Sequence, residues 1–380
     1  MSERKDILNL WLNNLDGVGN KAIKFFRDNF DSVEEIYACT ENDIKKINEK
    51  YKENEKCINR VNTEQIIINK NLDKAKRIYE RLKKLNISII YPGHCDFPDK
   101  LMHIYDTPQI LYIKGKLKPG INDFDKNIAI VGSRKADLYG REMTELFSRG
   151  LSGNGINIIS GLAYGIDGIA HRSALDAGGY TLGVLGCGIN VVYPRANIEL
   201  YARMEETGCI ISEYGLDVSP CAGLFPLRNR IISGLSDGVL VVQAQKKSGS
   251  LITADYALEQ GKQVYAIPGR LYDASSEGSN NLIKLGAVPV TSFEDIIDDL
   301  NGEINISCIN DNKKIMENES FLDNLEMDIY NSMSLEPVYI EEIINKFKIS
   351  TSRAINILFK LENLGLIKQP LKGYYIKRLY

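Results

Sequence analysis

Seven short, almost purely apolar runs punctuate the middle of this chain: "IAIV" (128–131), "INIIS" (156–160), "TLGVLG" (181–186), "CIISE" (209–213), "GVLVVQA" (238–244), "QVYAIPG" (263–269) and "AVPVT" (287–291). None shows the in–out alternation of a half-exposed strand. Continuous β-branched runs mean strands covered on both faces. Amphipathic stretches such as "YGREMTELFSRGLSGNG" separate them. Strand and helix in alternation predict a mostly parallel sheet with crossover helices over 121–300, an α/β, extended Rossmann-like, doubly wound fold.

The flanks carry a helical period. Residues 1–120 open with two helical patterns around Gly17-Val18-Gly19, the second with Ile23, Phe26 and Phe30 on one face. This predicts an N-terminal helical domain of helix-hairpin-helix (SAM-like) type, whose glycines let backbone N–H groups meet a nucleic-acid phosphate. A tight turn between packed helices is the plainer alternative, and Asp16 beside it repels phosphate. Residues 321–380 run helix, turn, helix and then a hairpin, "LIKQPLKGYYI", the order of a winged helix-turn-helix. A polar, acidic linker over 301–320 separates it from the sheet. Charge marks the same boundary: 291–330 holds eleven acids and two bases, 331–380 four acids and eight bases.

Composition narrows the class without naming a chemistry. At 44% hydrophobic and 26% charged, with net charge −3, the chain is no polycation, so nucleic-acid binding would need local basic clusters. No run approaches the roughly 20 apolar residues of a membrane helix, and the N-terminus is charged from the start, so a cytoplasmic protein without membrane partners is expected. Seven cysteines without a CxxC pair read as reduced thiols. His94, His103 and His171 show no metal-ligand spacing, so neither a metal site nor a histidine-based triad is expected.

Chemistry gathers where the strands end. In a parallel sheet the carboxyl edge collects the loops into one crevice. Gly132-Ser133-Arg134 follows the first run, Ser160-Gly161 the second, Gly186-Cys187-Gly188 the third and Glu213-Tyr214-Gly215 the fourth; "LFPLRNRIISGLSDG" then leads to the next strand, which ends in "KKSGSLITA". Glycine turns entering helices point free N–H groups and a positive helix end at the crevice. Arg134, Arg228, Arg230, Lys246 and Lys247 add charge; Ser133, Ser248, Ser250 and Thr253 add hydroxyl donors. The ligand such a cleft suits is phosphate. Neither G-x-G-x-x-G nor a P-loop occurs, so no dinucleotide or other cofactor is expected. Cations spread over separate loops suit a run of phosphates, and Phe225 beside two arginines suits an unpaired base. Phe225 could instead plug the core, Arg228 and Arg230 could pair with Glu213 and Asp237, His171 could be a packing residue, and Asp167 with Glu213 could form an acid/base pair.

Taken in order, "VGSRKADLYG", "IISGLAYGIDGIAHRSALDAGG", "GVLGCGINVVYPRAN", "LFPLRNRIISGLSDGVLVVQAQKKSGSLITADYALEQGKQVYAIPG" and "GSNNLIKLGA" closely resemble the DNA processing protein A (DprA/Smf) family. The resemblance implies a non-enzymatic protein of natural transformation that binds and protects incoming single-stranded DNA, loads the RecA recombinase and forms a homodimer through its Rossmann-like domain. Carried over by motif position, Arg134 in Gly132-Ser133-Arg134 would grip a phosphate. Gly161, Phe225, Arg228, Asn229 and Arg230 would line the strand path, and Lys247, Ser248, Gly249, Ser250 and Thr253 would meet the next phosphates. Asp255 stands where the family commonly carries a base, which weakens one expected contact. Two other readings differ in class: a nucleotide-processing phosphoribohydrolase on the same sheet, whose P-G-G-x-G-T turn and following Glu are missing here, and a winged-helix regulator of duplex DNA.

Overall fold

A computed structural model describes residues 3–50, 64–118, 126–301, 322–334, 336–364 and 366–377. The chain divides into two units, Met1–Leu300 and Asn301–Tyr380. The linker expected over 301–320 lies, from 302 onward, outside the described residues, as do Cys57 and Cys308. Cys39, Cys95, Cys187, Cys209 and Cys221 are free thiols.

The first unit is organised by one sheet. Its strands are β1 (Ile87–Ile90), β2 (Leu111–Gly115), β3 (Asn127–Val131), β4 (Asn157–Ser160), β5 (Thr181–Leu185), β6 (Cys209–Ser212), β7 (Gly238–Val241), β8 (Gln263–Ala266) and β9 (Val288–Pro289). The spatial order is β1-β2-β6-β5-β4-β3-β7-β8-β9. All pairs from β6 to β9 are parallel. Every residue of β3, β4, β5, β6 and β7 is buried, which is why their sequences do not alternate. Strand order runs one way from β3 through β4, β5 and β6 and the other way from β7 through β8 and β9. The crevice between the carboxyl ends of β3 and β7 is therefore the switch point, the place where open α/β sheets bind ligands.

Two strands were not expected from the apolar pattern. β1 and β2 pair antiparallel, Ile87 opposite Lys114 and Ile90 opposite Leu111, and β2 pairs antiparallel with β6. Both lie before residue 120, so a boundary there cuts through the sheet. The six helices described before β1 do not have a core of their own. Leu8, Leu12, Ile23 and Phe26 belong to the same buried cluster as Ile89, Tyr112, Leu185 and Ile210. Trp11, 3% exposed, donates its indole N–H to Asn69 O at 2.6 Å and meets Tyr37 edge-on at 5.0 Å. Deleting the front helices would uncover this sheet face, so 1–300 is one compact unit, in place of the two domains read from sequence.

At the glycine turn, Gly17 has φ +78° and Gly19, extended, precedes the helix Asn20–Asn29 without a side-chain cap. Asn20 donates to Glu213 Oε1 at 2.7 Å. The second unit has helices Asn324–Ser332, Ile340–Phe347 and Thr351–Asn363, with β11 (Ile367–Leu371) and β12 (Tyr374–Lys377) as a hairpin to which β10 (Val338–Tyr339) adds at the β12 edge. Asp323 and Glu326 cap the first helix reciprocally. No described helix is long and apolar enough to cross a membrane.

Candidate nucleic-acid interface

A cleft of about 480 Å3 opens at the carboxyl ends of β3 and β7. One wall is the turn after β3. Ser133 donates its N–H to Gln243 O at 2.8 Å, and Ser133 O accepts from Ile166 N–H at 3.2 Å. A Cβ on Gly132 would stand 2.6 Å from the Ile166 side chain. A Cβ on Gly165, whose φ is +72°, would stand 2.3 Å from Ser133 O. The backbone is thus fixed from both sides, and Arg134 and Lys135 project from it exposed.

The opposite wall is the turn into the helix Gly249–Glu259. Ser248 caps it, its Oγ accepting from Ser250 N–H at 3.4 Å and sharing a 2.7 Å hydrogen bond with Ser250 Oγ. The first turn of this helix presents its positive end to the cleft. Ser250 and Thr253 lie buried beneath it. Lys247 is exposed but does not line the cleft; Lys246 pairs with Glu277 at 3.4 Å.

The third wall is the helix Leu224–Leu235. Phe225, Arg228, Asn229 and Ile232 all line the cleft, the spacing that puts side chains on one helical face. Phe225 is half-buried and is no core plug. Its ring packs on Gly186, where a Cβ would come within 2.7 Å of Cδ1, and stacks with Tyr193 at 5.5 Å. The Arg134 guanidinium lies over the same ring, 5.5 Å from its centroid. A cation and an apolar face therefore meet at the mouth of the cleft.

Arg228, 4% exposed, forms the floor. It donates to Gly161 O at 2.9 Å and to Val184 O, and its Nε donates to Asn229 Oδ1. Burial holds Asp167 above the usual carboxylate range, opposed first by the Arg228 cation and then by the N–H groups of Gly161 and Ala163. Burial likewise lowers Arg228 from its ordinary value, against the pull of Asp167. The two are buried groups that act on one another electrostatically, each hydrogen-bonded to the Gly161 backbone.

Several sequence expectations change here. Gly161 does not offer a free N–H: it donates to Asp167 Oδ2 at 3.1 Å, and a Cβ there would strike Arg228 and Asp167. Arg230, two residues beyond Arg228, faces away from the cleft and is held by Glu213 at 2.7 and 2.9 Å and by Asp106 at 3.3 Å. The Glu213 pairing weighed for it is present, whereas Asp237 accepts from Lys100 and from Asn127 N–H. Asp167 and Glu213 each serve a different arginine, so they form no acid/base pair. Among the described residues, metal-type ligands gather only at His94-Cys95-Asp96, where His94 Nδ1 accepts the Asp96 N–H at 3.1 Å.

His171 is fully buried. The Thr181 hydroxyl donates to Ile158 O, so it accepts from His171 Nδ1–H at 2.6 Å. Burial, then the Arg172 and Arg228 cations, push the imidazole down to about 3 from an ordinary 6.5. The sign follows: unfolding lets the ring take a proton, so stability is full above pH 6.5 and falls as pH drops toward 3. Urea unfolding at pH 7 and pH 4.5 should show a smaller acid loss for His171→Gln than for the parent; equal losses would remove His171 from the account.

The sequence model of the DNA recombination-mediator protein A family matches residues 88–301, beginning within β1. Protein Smf of Escherichia coli is 47% identical over 213 residues, 56% of this chain, and the match spans 56% of that protein's length. DNA processing protein DprA of Bacillus subtilis is 40% identical over 60% of this chain and 76% of its own. The structure of DNA processing protein A from Streptococcus pneumoniae superposes with a TM-score of 0.54 at 34% identity, covering 74% of this chain and 97% of that one. A second, from Helicobacter pylori, solved for its single-stranded DNA binding mode, superposes at 0.51 and 31% identity, covering 57% and 96%.

Proposed function

Because this chain belongs to the DNA recombination-mediator protein A family, we propose that its switch-point cleft binds single-stranded DNA through the backbone, without sequence preference. The observation that carries this reading is the pairing of Arg134 with Phe225 at the mouth, opposite a capped helix N-terminus. A phosphate needs the cation and the N–H groups; an unpaired base needs the ring. Ser133, Asn229, Ser248, Gly249, Ser250 and Thr253 supply the surrounding polar atoms, and Lys247 stands further out on the rim. Arg228 and Gly161 act from below by holding the floor, and Arg230 is left out of the contact set.

We read the chain's role as non-enzymatic: it protects incoming single strands in transformation and loads RecA onto them from a dimer joined through the sheet-bearing unit. Support for the non-enzymatic part comes from the acids and bases near the cleft. Asp167 lies buried beside Arg228, and the His171 imidazole is fully buried, hydrogen-bonded to Thr181 and held low by that burial. The second unit is read as a winged helix. Fluorescence anisotropy with oligo-dT, duplex DNA and thymidine monophosphate tests the reading: oligo-dT should bind far more tightly than the other two, and equal affinities would sink it.

Phe225 can be tested separately from charge. Phe225→Leu should weaken oligo-dT binding by about 1–3 kcal/mol while leaving the salt slope unchanged, because stacking releases no ions. A slope that flattens in this variant would assign Phe225 to holding Arg134 instead.

A further inference from the structure

The aromatic surface continues past Phe225. Tyr193 lies in the loop after β5, and its backbone is fixed at both ends. The buried Tyr201 hydroxyl donates to Tyr193 O at 2.9 Å and accepts the Tyr193 N–H at 3.4 Å. The same loop is tied to the turn after β4, where Asn197 Nδ2 donates to Leu162 O at 3.0 Å and Ala163 O at 3.2 Å, and Ala163 lines the cleft. On this rigid support the Tyr193 ring is 40% exposed and stacks on Phe225 at 5.5 Å, inclined by 30°.

Phe225 is partly exposed at the cleft. Arg134, Tyr193 and the Gly186 backbone all pack on its ring. Tyr193 is the more exposed ring of this stack. Arg195, exposed in the short turn Arg195–Asn197, follows two residues along the same loop. A tyrosine needed only for packing would be buried, as Tyr201 is. A half-exposed ring on an anchored backbone, stacked on a second ring, is suited to stacking at reduced entropic cost.

We infer that Tyr193 is a second base-stacking subsite, taking the nucleobase adjacent to the one at Arg134 and Phe225; this rests on the single-stranded DNA reading of the cleft. Any base offers a π-face, so the subsite is tolerant of sequence.

The test uses two labelled oligomers of equal length, oligo-dT and an abasic deoxyribose-phosphate chain, with the full-length protein. Tyr193→Ala should weaken oligo-dT binding on the order of tenfold. Its salt slope should match the parent's, Tyr193→Phe should restore affinity, and the abasic chain should bind parent and Tyr193→Ala alike. Arg134→Ala serves as the reference for the cleft. If Tyr193→Ala binds oligo-dT like the parent while Arg134→Ala does not, the subsite is wrong and the cleft reading stands. Equal loss on both oligomers also overturns the subsite, assigning Tyr193 to the shape of the cleft. A parent protein that ignores oligo-dT removes both.

Discussion

Arg228→Met should destabilise the sheet-bearing unit by about 1–3 kcal/mol, the cost of leaving buried acceptors without their donor. Arg228 and Asp167 are both buried, and they converge on Gly161, whose missing side chain makes room for them. Methionine fills the volume but leaves the Asp167 carboxylate without a counter-charge and the Gly161 and Val184 carbonyls without a donor. The pH dependence has a definite sign. Folding already raises Asp167 above its ordinary value, and removing Arg228 takes away the largest of the contributions that oppose burial. Its neutral form is then the one the fold tolerates, so the deficit should shrink as pH falls through the raised pKa and grow as pH rises. Adding Asp167→Asn should recover much of the loss at pH 7, because it removes the stranded charge. Urea unfolding of the single and double variants measures this; strictly additive losses would show that the two side chains do not form a pair.

The second large effect is on binding. Arg134→Ala should lower affinity for oligo-dT by about 1–3 kcal/mol, in line with the loss of a charge-assisted contact. Each phosphate contact contributes close to one unit to the dependence of log affinity on log salt, so the slope should become shallower by about one. Arg134→Lys separates charge from shape. It keeps the slope near the parent's, yet weakens binding, since an ammonium neither forks onto two phosphate oxygens nor lies flat over Phe225. Because Arg134 is exposed, both variants should unfold at the parent's urea midpoint. An unchanged affinity and slope in Arg134→Ala would take this residue out of the interface.

The contrast between these two arginines indicates what was legible in the chain. Each of the seven runs contains an observed strand, and β3 to β7 announce themselves because strands buried on both faces must be apolar throughout, whereas β8 begins at the exposed Gln263 and neither residue of β9 is buried. β1 and β2 were missed because they are short and sit in a segment whose dominant signal is helical. Their own signal is modest: Ser88 in β1 is exposed between buried isoleucines, and β2 ends in Lys114-Gly115. The Gly-Ser-Arg turn was found from its position after a strand. The roles of Arg228 and Arg230 were not, although one step of reasoning separates them. Once 224–235 is a helix, residues two apart cannot share a face, whereas Phe225, Arg228, Asn229 and Ile232 do. In the sequence Tyr193 carries no signal beyond its place in "GVLGCGINVVYPRAN". Its position beside Phe225 depends on how the loop after β5 meets the helix from Leu224, a tertiary contact that no local pattern encodes.

The family relationship and the geometry address different questions. The relationship places the chain among DNA recombination-mediator proteins. The geometry says which atoms in this chain are positioned to act: an exposed cation on a ring, a capped helix end and a buried arginine hydrogen-bonded to two backbone carbonyls of the floor. All three fit the proposed course of a polynucleotide along the carboxyl edge of the sheet.

A crystal of the full-length protein soaked with a short thymidine oligomer tests that claim most directly. The account predicts a phosphate within hydrogen-bond reach of Arg134 and the Ser133 turn, a second facing the Ser248–Ser250 helix start, and a base against the aromatic pair. An oligomer seated on another face of the molecule, with the β3/β7 crevice unchanged, would contradict it.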